Sequence, residues 1–434
     1  MSPSSSQLLP TTAYGPSLLT AHIDRDAIRT NLAVLREHAG EAGVIPVVKA
    51  DAYGHGITGV VPVLVEAGIR RIGTATVPEA LQVRDLLEHL AAEGLTGAED
   101  TAVLCWLMPI GVDFAQLAEK NIEVGISAAE QLPHLAQAAR QCTDNPLRIH
   151  IKIDSGLGRG GMTEHQLDGF LREVAQMDDG VRAGLRIVGA MTHLAVADEP
   201  GSEFTDHQYS IFTEEIAKLR GFLLSQPELG EEDELIVHAS NSPAALTIGT
   251  GPDTLTARAV RTGLAVYGLS PFAGSSPESL GLRPAMTLKS QVVALKDVAR
   301  GSHASYGLTY TCEANTRFAL VAGGYADGLP RSASNAARVF IGGRQYRQVG
   351  RIAMDQIVVE VGLDSDVGVG DEVTIFGPGE SGEPTAADWG AWGGTINYEI
   401  VTGIGSRVER IMTGRAVGDS GAEAGDADES GELA

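Results

Sequence analysis

Cysteine is scarce in this chain: 434 residues contain three, Cys105, Cys142 and Cys312, set far apart. That spacing excludes a disulfide framework and a paired-cysteine metal site, and it fits a protein of the reducing cytoplasm. Basic residues are also in deficit, 32 Lys and Arg against 56 Asp and Glu, for a net charge of −24. Nucleic acid is bound through clustered Lys and Arg, so it is not an expected partner. No run approaches the roughly 20 apolar residues of a membrane span, so no membrane association is expected. Residues Met1 to Gly15, rich in Ser, Thr and Pro, lack the basic start and apolar stretch of a secretory signal. The eleven histidines include no His-x-x-x-His pair, so no zinc site, and no other metal, is expected. Gly156-Leu157-Gly158 and Gly323-Gly324-Tyr325 lack the helix and downstream acid of a dinucleotide-binding turn.

What the chain does have is a hydrophobic content of 43%, ample for a core and arranged in two patterns. From Val44 to Gly268, short apolar, β-branched runs alternate with helical segments. Candidate strands fall at 44–49, 71–76, 102–107, 122–126, 147–153, 187–193, 234–239 and 258–262. Ser127-Ala128-Ala129-Glu130 reads as a capping box, and Pro78 suits a first helical turn. Leu81, Val83, Leu86, Leu87 and Leu90 mark one apolar helix face; Ile28, Leu32 and Leu35 mark another before the first strand. Eight β-α repeats predict an α/β fold, an N-terminal (βα)8 TIM-type barrel with its chemistry at the C-terminal strand ends.

From about Pro271 the pattern becomes alternating. Met286–Leu295, Phe318–Ala322, Arg338–Ile341, Ile357–Val361 and Glu372–Phe376 predict strands of an all-β C-terminal domain. Helical segments follow around Ala386–Trp392 and Tyr398–Ile404. The expected organisation is a disordered extension over 1–15, a barrel over 16–272, a β domain over 273–415 and a disordered acidic tail over 416–434. In that tail Asp419, Glu423, Asp426, Asp428, Glu429 and Glu432 stand among Gly, Ala and Ser, too little apolar surface to offset the entropy of ordering.

Unusual polar residues fall where a barrel places its active site. Lys49 ends the first predicted strand, Arg159 follows the fifth, His193 ends the sixth, Asn241-Ser242 follows the seventh and Arg261 ends the eighth. A lysine half-buried beside other cations loses its proton more easily than its usual pKa near 10.4 implies. Phosphate groups in barrels commonly bind at the loops after strands seven and eight. Those loops offer the Ser242 hydroxyl and the backbone N–H groups of Gly263 and Leu264, with Tyr53 and Tyr398 as further phenolic donors.

These segments resemble the alanine racemase family along nearly the whole chain, from about His22 to Ile411. Val47-Val48-Lys49-Ala50-Asp51-Ala52-Tyr53-Gly54-His55-Gly56 is similar to that family's pyridoxal-phosphate lysine signature, and Ser305-Tyr306-Gly307 to its catalytic tyrosine. Lys152-Ile153-Asp154-Ser155-Gly156-Leu157-Gly158-Arg159, Thr192-His193, His238 to Ser242 and Val260 to Leu264 resemble further cofactor-contacting segments. Asn397-Tyr398-Glu399 resembles the phosphate-tyrosine segment, Gly324-Tyr325-Ala326-Asp327-Gly328 a gate motif, and Met354-Asp355-Gln356 a partner-chain loop that binds the substrate carboxylate. One departure is Ala353, where many members carry cysteine.

The resemblance implies a two-base racemase of alanine using pyridoxal 5′-phosphate and supplying D-alanine for peptidoglycan. Lys49 acts on one face of the substrate carbon and Tyr306 of a partner subunit on the other, so a homodimer with composite sites is implied. Arg261 faces the cofactor ring nitrogen without protonating it, since an arginine does not give up its proton. Arg159, Tyr306, Tyr325, Met354 and Asp355 bind substrate, with Tyr310 also crowding its side chain. Lys152 matches a lysine that is often carbamylated. His193 and Arg261 are the cations expected to tune Tyr306. A broad-specificity amino-acid racemase shares all of these residues; a decarboxylase on the same plan and a non-catalytic pyridoxal-phosphate carrier are the remaining alternatives.

Overall fold

The β-branched runs form strands because both faces of each are covered, the circumstance in which parallel strands become continuously apolar. In the computed structural model, which describes residues 17–419, eight parallel strands build the first domain. They are β2 (Gly43–Pro46), β3 (Arg71–Thr76), β4 (Ala102–Leu107), β5 (Ile122–Ile126), β6 (Leu147–Lys152), β7 (Leu185–Met191), β8 (Ile236–His238) and β9 (Ala259–Thr262). Strands β3 to β8 pair in order, and β2 pairs with β9. Val48 N–H donates to Gly73 O at 2.8 Å on one side, and Arg261 N–H to Ser240 O at 2.8 Å on the other. Those bonds close the ring into a (βα)8 barrel. The expected extension over 1–15 and the tail beyond Asp419 lie outside the described residues.

Several elements differ from expectation at their ends. The first strand is regular only to Pro46, with Val47 and Val48 N–H still donating to Thr262 O and Gly73 O at 2.8 Å; Lys49 starts a turn instead of ending the strand. The sixth barrel strand stops at Met191, so His193 stands two residues beyond it. The cap expected from Glu130 is made by Gln131, whose side-chain oxygen accepts from Ser127 N–H and Ala128 N–H at 3.0 and 3.1 Å.

The second domain is antiparallel. The 13-residue β10 (Met286–Val298) pairs on one edge with β17 (Glu372–Phe376) and on the other with β13 (Thr316–Ala322). Together with β14 (Arg338–Ile341), β15 (Arg344–Gln348) and β16 (Gln356–Glu360) they close into a small barrel. Thr20–Asp24, placed with the barrel by the sequence, is instead strand β1 of this domain's sheet. It runs antiparallel to β10 and parallel to β18 (Glu409–Thr413), a strand not anticipated. Burial of Ala21 and Ile23 in that sheet removes more apolar surface from water than an isolated N-terminal segment would. All three cysteines are buried free thiols. Among the described residues no helix is long and apolar enough to cross a membrane.

Candidate active site

A cavity of about 1320 Å³ opens at the C-terminal ends of the barrel strands. Lys49, Tyr53, Arg159, His193 and Arg261 line one part of it, with Lys152 beneath them. Asn241, Ser242, Gly263, Leu264 and Tyr398 line another. Every barrel residue singled out in the sequence, together with Tyr398 from the second domain, therefore meets at one mouth.

Lys49 stands at the head of a left-handed turn. Ala50, Asp51, Ala52 and Tyr53 all have φ between 52 and 55°, a conformation costing L-residues roughly 1–2 kcal/mol each. Such a run persists only where its surroundings over-determine it, as at functional sites. Ala50 N–H donates to Glu79 Oε1 at 2.7 Å, while Glu79 Oε2 accepts from Ala75 and Thr76 N–H and so caps the next helix. Asp51 Oδ1 accepts from Ile57 N–H at 2.8 Å. His55 Nδ1–H donates to the Tyr53 carbonyl at 2.9 Å. Arg410, on β18, reaches across from the second domain to donate to Gly54 O at 3.0 Å. Gly54 has φ 80°, and a Cβ there would fall 2.1 Å from Val401 O, so no other residue fits.

The electrostatics favour a neutral amine. Burial, then the nearby Arg159 and Arg261, pull the Lys49 pKa down, with Glu79 opposing. The same burial and the same two arginines bring Lys152 to about 8. Arg159 reaches the mouth on a loop held by Asp154, whose Oδ1 accepts from Gly156 and Gly158 N–H.

Arg261 is engaged on two sides. Its Nη1 donates to His238 Nδ1 at 2.8 Å and to His238 O; its Nη2 donates to Thr192 O at 2.7 Å and to His193 Nδ1 at 3.1 Å. Burial and Arg159 lower its pKa to about 10, still far above neutrality, so the guanidinium stays charged. Burial and then Arg261 hold His193 and His238 well below the usual imidazole value, leaving both rings neutral acceptors.

The opposite wall collects hydroxyls and amides. Ser242 Oγ accepts from Gly263 N–H at 3.0 Å and Ala265 N–H at 3.4 Å, keeping its own hydrogen to donate. A Cβ on Gly263 would meet the Tyr53 hydroxyl at 2.1 Å; glycine is what lets that hydroxyl reach the turn. Asn241 caps the short helix Ser242–Thr247. The Tyr53 and Tyr398 rings lie 6.5 Å apart. Burial keeps both phenols protonated, raising Tyr53 and pushing Tyr398 up to about 12.

Tyr306, Tyr325, Met354 and Asp355 do not line this cavity in the single chain; they cluster on one edge of the β domain. Tyr306 is 70% exposed at the tip of the hairpin joining β11 (His303–Ala304) and β12 (Tyr310–Thr311). Ser305 Oγ anchors this tip on Arg351 O at 2.6 Å. Tyr325 N–H donates to Ala353 O at 3.0 Å, and Arg407 joins Asp327 to Asp355. His193 and Arg261 therefore do not touch their own chain's Tyr306. Tyr310, four residues on in the same hairpin, has its hydroxyl committed to Glu360 and its ring packed on the small cluster around Phe318.

Two participants escaped the sequence. Glu79 reads there as an ordinary capping residue three after Thr76, and only the fold brings it to Lys49. Trp106 lines the mouth in space left by Gly73 and Gly125, where a Cβ would come within 3.1 and 2.8 Å of it; a tryptophan ending an apolar strand carries no such signal.

Comparison with known proteins gives the same outline. Residues 23–271 match the family model for the alanine racemase N-terminal domain and residues 285–412 that for the C-terminal domain. An alanine racemase of Mycolicibacterium vanbaalenii is 44% identical over 402 residues, 92% of this chain and 95% of that one. The crystal structure of alanine racemase from Streptomyces coelicolor is 40% identical with a TM-score of 0.82, covering 92% of this chain and 98% of that one. That from Bacillus anthracis, solved with bound L-Ala-P, is 31% identical with a TM-score of 0.77, covering 93% and 96%. With both domains matched in order and the relatives covered almost end to end, the chain belongs to the alanine racemase family.

Proposed function

We propose that this protein interconverts L-alanine and D-alanine with pyridoxal 5′-phosphate, supplying D-alanine for peptidoglycan. The observation that carries the reading is Lys49. It is an amine of depressed pKa on a strained turn, sharing one cavity with a corner of hydroxyl and amide donors.

The residues fit the cofactor. Ser242, the Leu264 amide, Tyr53, Tyr398 and Asn241 suit its phosphate end, as does the Gly263 amide once it turns from Ser242 Oγ; Lys49 suits its aldehyde carbon; Arg261 and His193 suit its ring. Bound there, the cofactor supplies an electron-accepting ring that lets an amino acid's α-proton leave. Arg261 would hold the ring nitrogen by a hydrogen bond while keeping its own proton. Lys49 Nζ holds or delivers the proton on one face of the substrate carbon. On the other face the Tyr306 hydroxyl of a second subunit does the same.

Arg159, the Met354 backbone and Asp355 orient the carboxylate, and Tyr325 and Met354 crowd the space beside the α-carbon to favour a methyl side chain. The exposed edge carrying Tyr306, Leu308, Tyr325 and Met354 supports a homodimer whose sites are completed across the interface. Lys152 is set to become a carbamate: its neutral amine attacks carbon dioxide, an N–C bond forms, and one proton leaves. The resulting anion would sit beside Arg159 and Arg261, where a third cation is unfavourable.

Chiral chromatography after incubation with L-alanine and, separately, L-serine tests the reading. D-alanine alone supports it. Comparable D-serine replaces it with a broad racemase, and no inversion by cofactor-loaded protein overturns it.

A further inference from the structure

Behind Arg261 the barrel interior holds a line of titratable groups that the racemisation chemistry does not use. Glu123 on β5, His150 on β6 and His238 on β8 are all buried, at 1%, 0% and 0% exposure. His238 Nε2 lies 3.0 Å from His150 Nδ1, and His150 Nε2 lies 2.9 Å from Glu123 Oε2. Beyond Glu123 stand Arg71, at 2.7 Å, and Arg148, at 3.1 Å.

One proton arrangement satisfies every contact. A guanidinium only donates, so His238 Nδ1 must accept from Arg261 and its hydrogen must sit on Nε2. That hydrogen points at His150 Nδ1, which must accept, so His150 also carries its hydrogen on Nε2 and donates it to the carboxylate. A charged His150 would set N–H against N–H. Burial lowers both imidazole pKa values. Although burial opposes its charge, His150 and Arg71 hold the Glu123 carboxyl well below the usual range.

The fold makes room for this line. His150 and His238 belong to strands that flank β7, on which Gly189 lies beside His150 and Met191 beside His238; a Cβ on Gly189 would fall 2.1 Å from His150 Nδ1. At the far end, four contacts use the four Nη hydrogens of Arg261. Of the five guanidinium N–H groups, Nε–H is left without a protein partner, on a side chain that lines the mouth.

We propose that Glu123 is a positioning residue: through His150 and His238 it fixes the one proton arrangement that holds both Nη groups and leaves Arg261 Nε–H as the donor for whatever ring occupies the mouth. The inference rests on the racemase reading only for what that donor serves.

Nitrogen-15 spectra of the histidine rings in the intact, cofactor-loaded protein test it directly. Hydrogen on Nε2 of both rings, unchanged from mildly acidic to mildly alkaline pH, is expected; hydrogen on Nδ1 of either ring, or a mixture, overturns the relay. This readout needs no turnover, so a protein that failed to racemise alanine would still answer it. In kinetics, Glu123→Leu and Gly189→Ala should each lower kcat about tenfold, roughly what one hydrogen bond is worth, with KM for alanine nearly unchanged and mixed His150 tautomers. Glu123→Gln retains an acceptor oxygen and should restore most of the rate. If the Glu123→Leu and Gly189→Ala proteins fold and keep the parent kcat, the positioning role is overturned. Should Glu123→Leu fail to fold, Gly189→Ala, which removes no charge, and the spectra of the unaltered protein still decide.

Discussion

Lys49 and Lys152 are both brought toward neutrality by burial and by Arg159 and Arg261, yet the proposed function assigns them different tasks. Both line the cavity; in the proposed reaction Lys49 is the amine that acts on substrate and Lys152 the one that becomes a carbamate. Lys49→Ala should cut racemisation about 10²–10⁴-fold, the range for a positioned acid–base group, and remove the visible absorbance of the lysine-linked cofactor. Retention of a reducible covalent adduct would show that another amine holds it. For Tyr306→Phe, the two directions of net racemisation must slow together because the equilibrium is unchanged. Exchange of the α-hydrogen with solvent separates the bases: L-alanine should lose it about 10²–10⁴-fold more slowly, while D-alanine exchanges at nearly the parent rate. Equal loss from both enantiomers would remove the two-base scheme.

The left-handed turn after Lys49 couples the two domains at the level of elements. Its bracing comes from Glu79 on the neighbouring barrel unit and from Arg410 on the second domain's β18. Gly54→Ala should destabilise the fold by about 2 kcal/mol or more, since it adds a left-handed penalty to a clash with Val401 O. A thermal melt checks this, and an unchanged midpoint would mean the turn is not locked.

His55, buried under that turn, provides a pH test. Burial brings its pKa to about 4 against 6.5 in the open chain. The unfolded chain therefore binds a proton that the folded one refuses between these values. The stabilisation is complete above pH 6.5 and shrinks as pH falls toward 4, by up to about 3 kcal/mol. Urea midpoints should fall between pH 7 and pH 5, and His55→Gln should make that fall shallower.

At the scale of the molecule the two domains are not beads on a string. Strand β1 from the N-terminal end and β18 from the C-terminal end lie side by side in one sheet, so the barrel is inserted between pieces of the β domain. Tyr306 and Lys49 belong to separate surfaces of one chain, which makes subunit mixing informative. Lys49→Ala and Tyr306→Phe subunits, each inactive alone, should on random exchange recover about a quarter of the parent activity, because half the dimers carry one intact composite site of two. No recovery after verified exchange would place both bases in one chain.

Periodicity alone was enough for the barrel, because eight apolar runs separated by helical faces leave few other ways to bury them. The strand ends carrying Arg159, His193, Ser242 and Arg261 were legible for the same reason: a closed parallel barrel puts all such ends on one rim. Resemblance to a family signature, rather than local chemistry, is what singled out Lys49 in the Val47 to Gly56 segment. The rest required the folded chain. Nothing local distinguishes Thr20–Asp24 or Glu409–Thr413 as strands of a sheet whose other members lie hundreds of residues away. Glu79 looks like any capping glutamate until the turn at Ala50 is laid against it. The run from Glu123 to Arg261 is invisible in one dimension, because its hydrogen bonds join four strands and pass over a glycine chosen for what it lacks. Sequence determined which residues have the chemistry; tertiary structure decided their protonation and direction, since both depend on burial and on partners that only folding supplies.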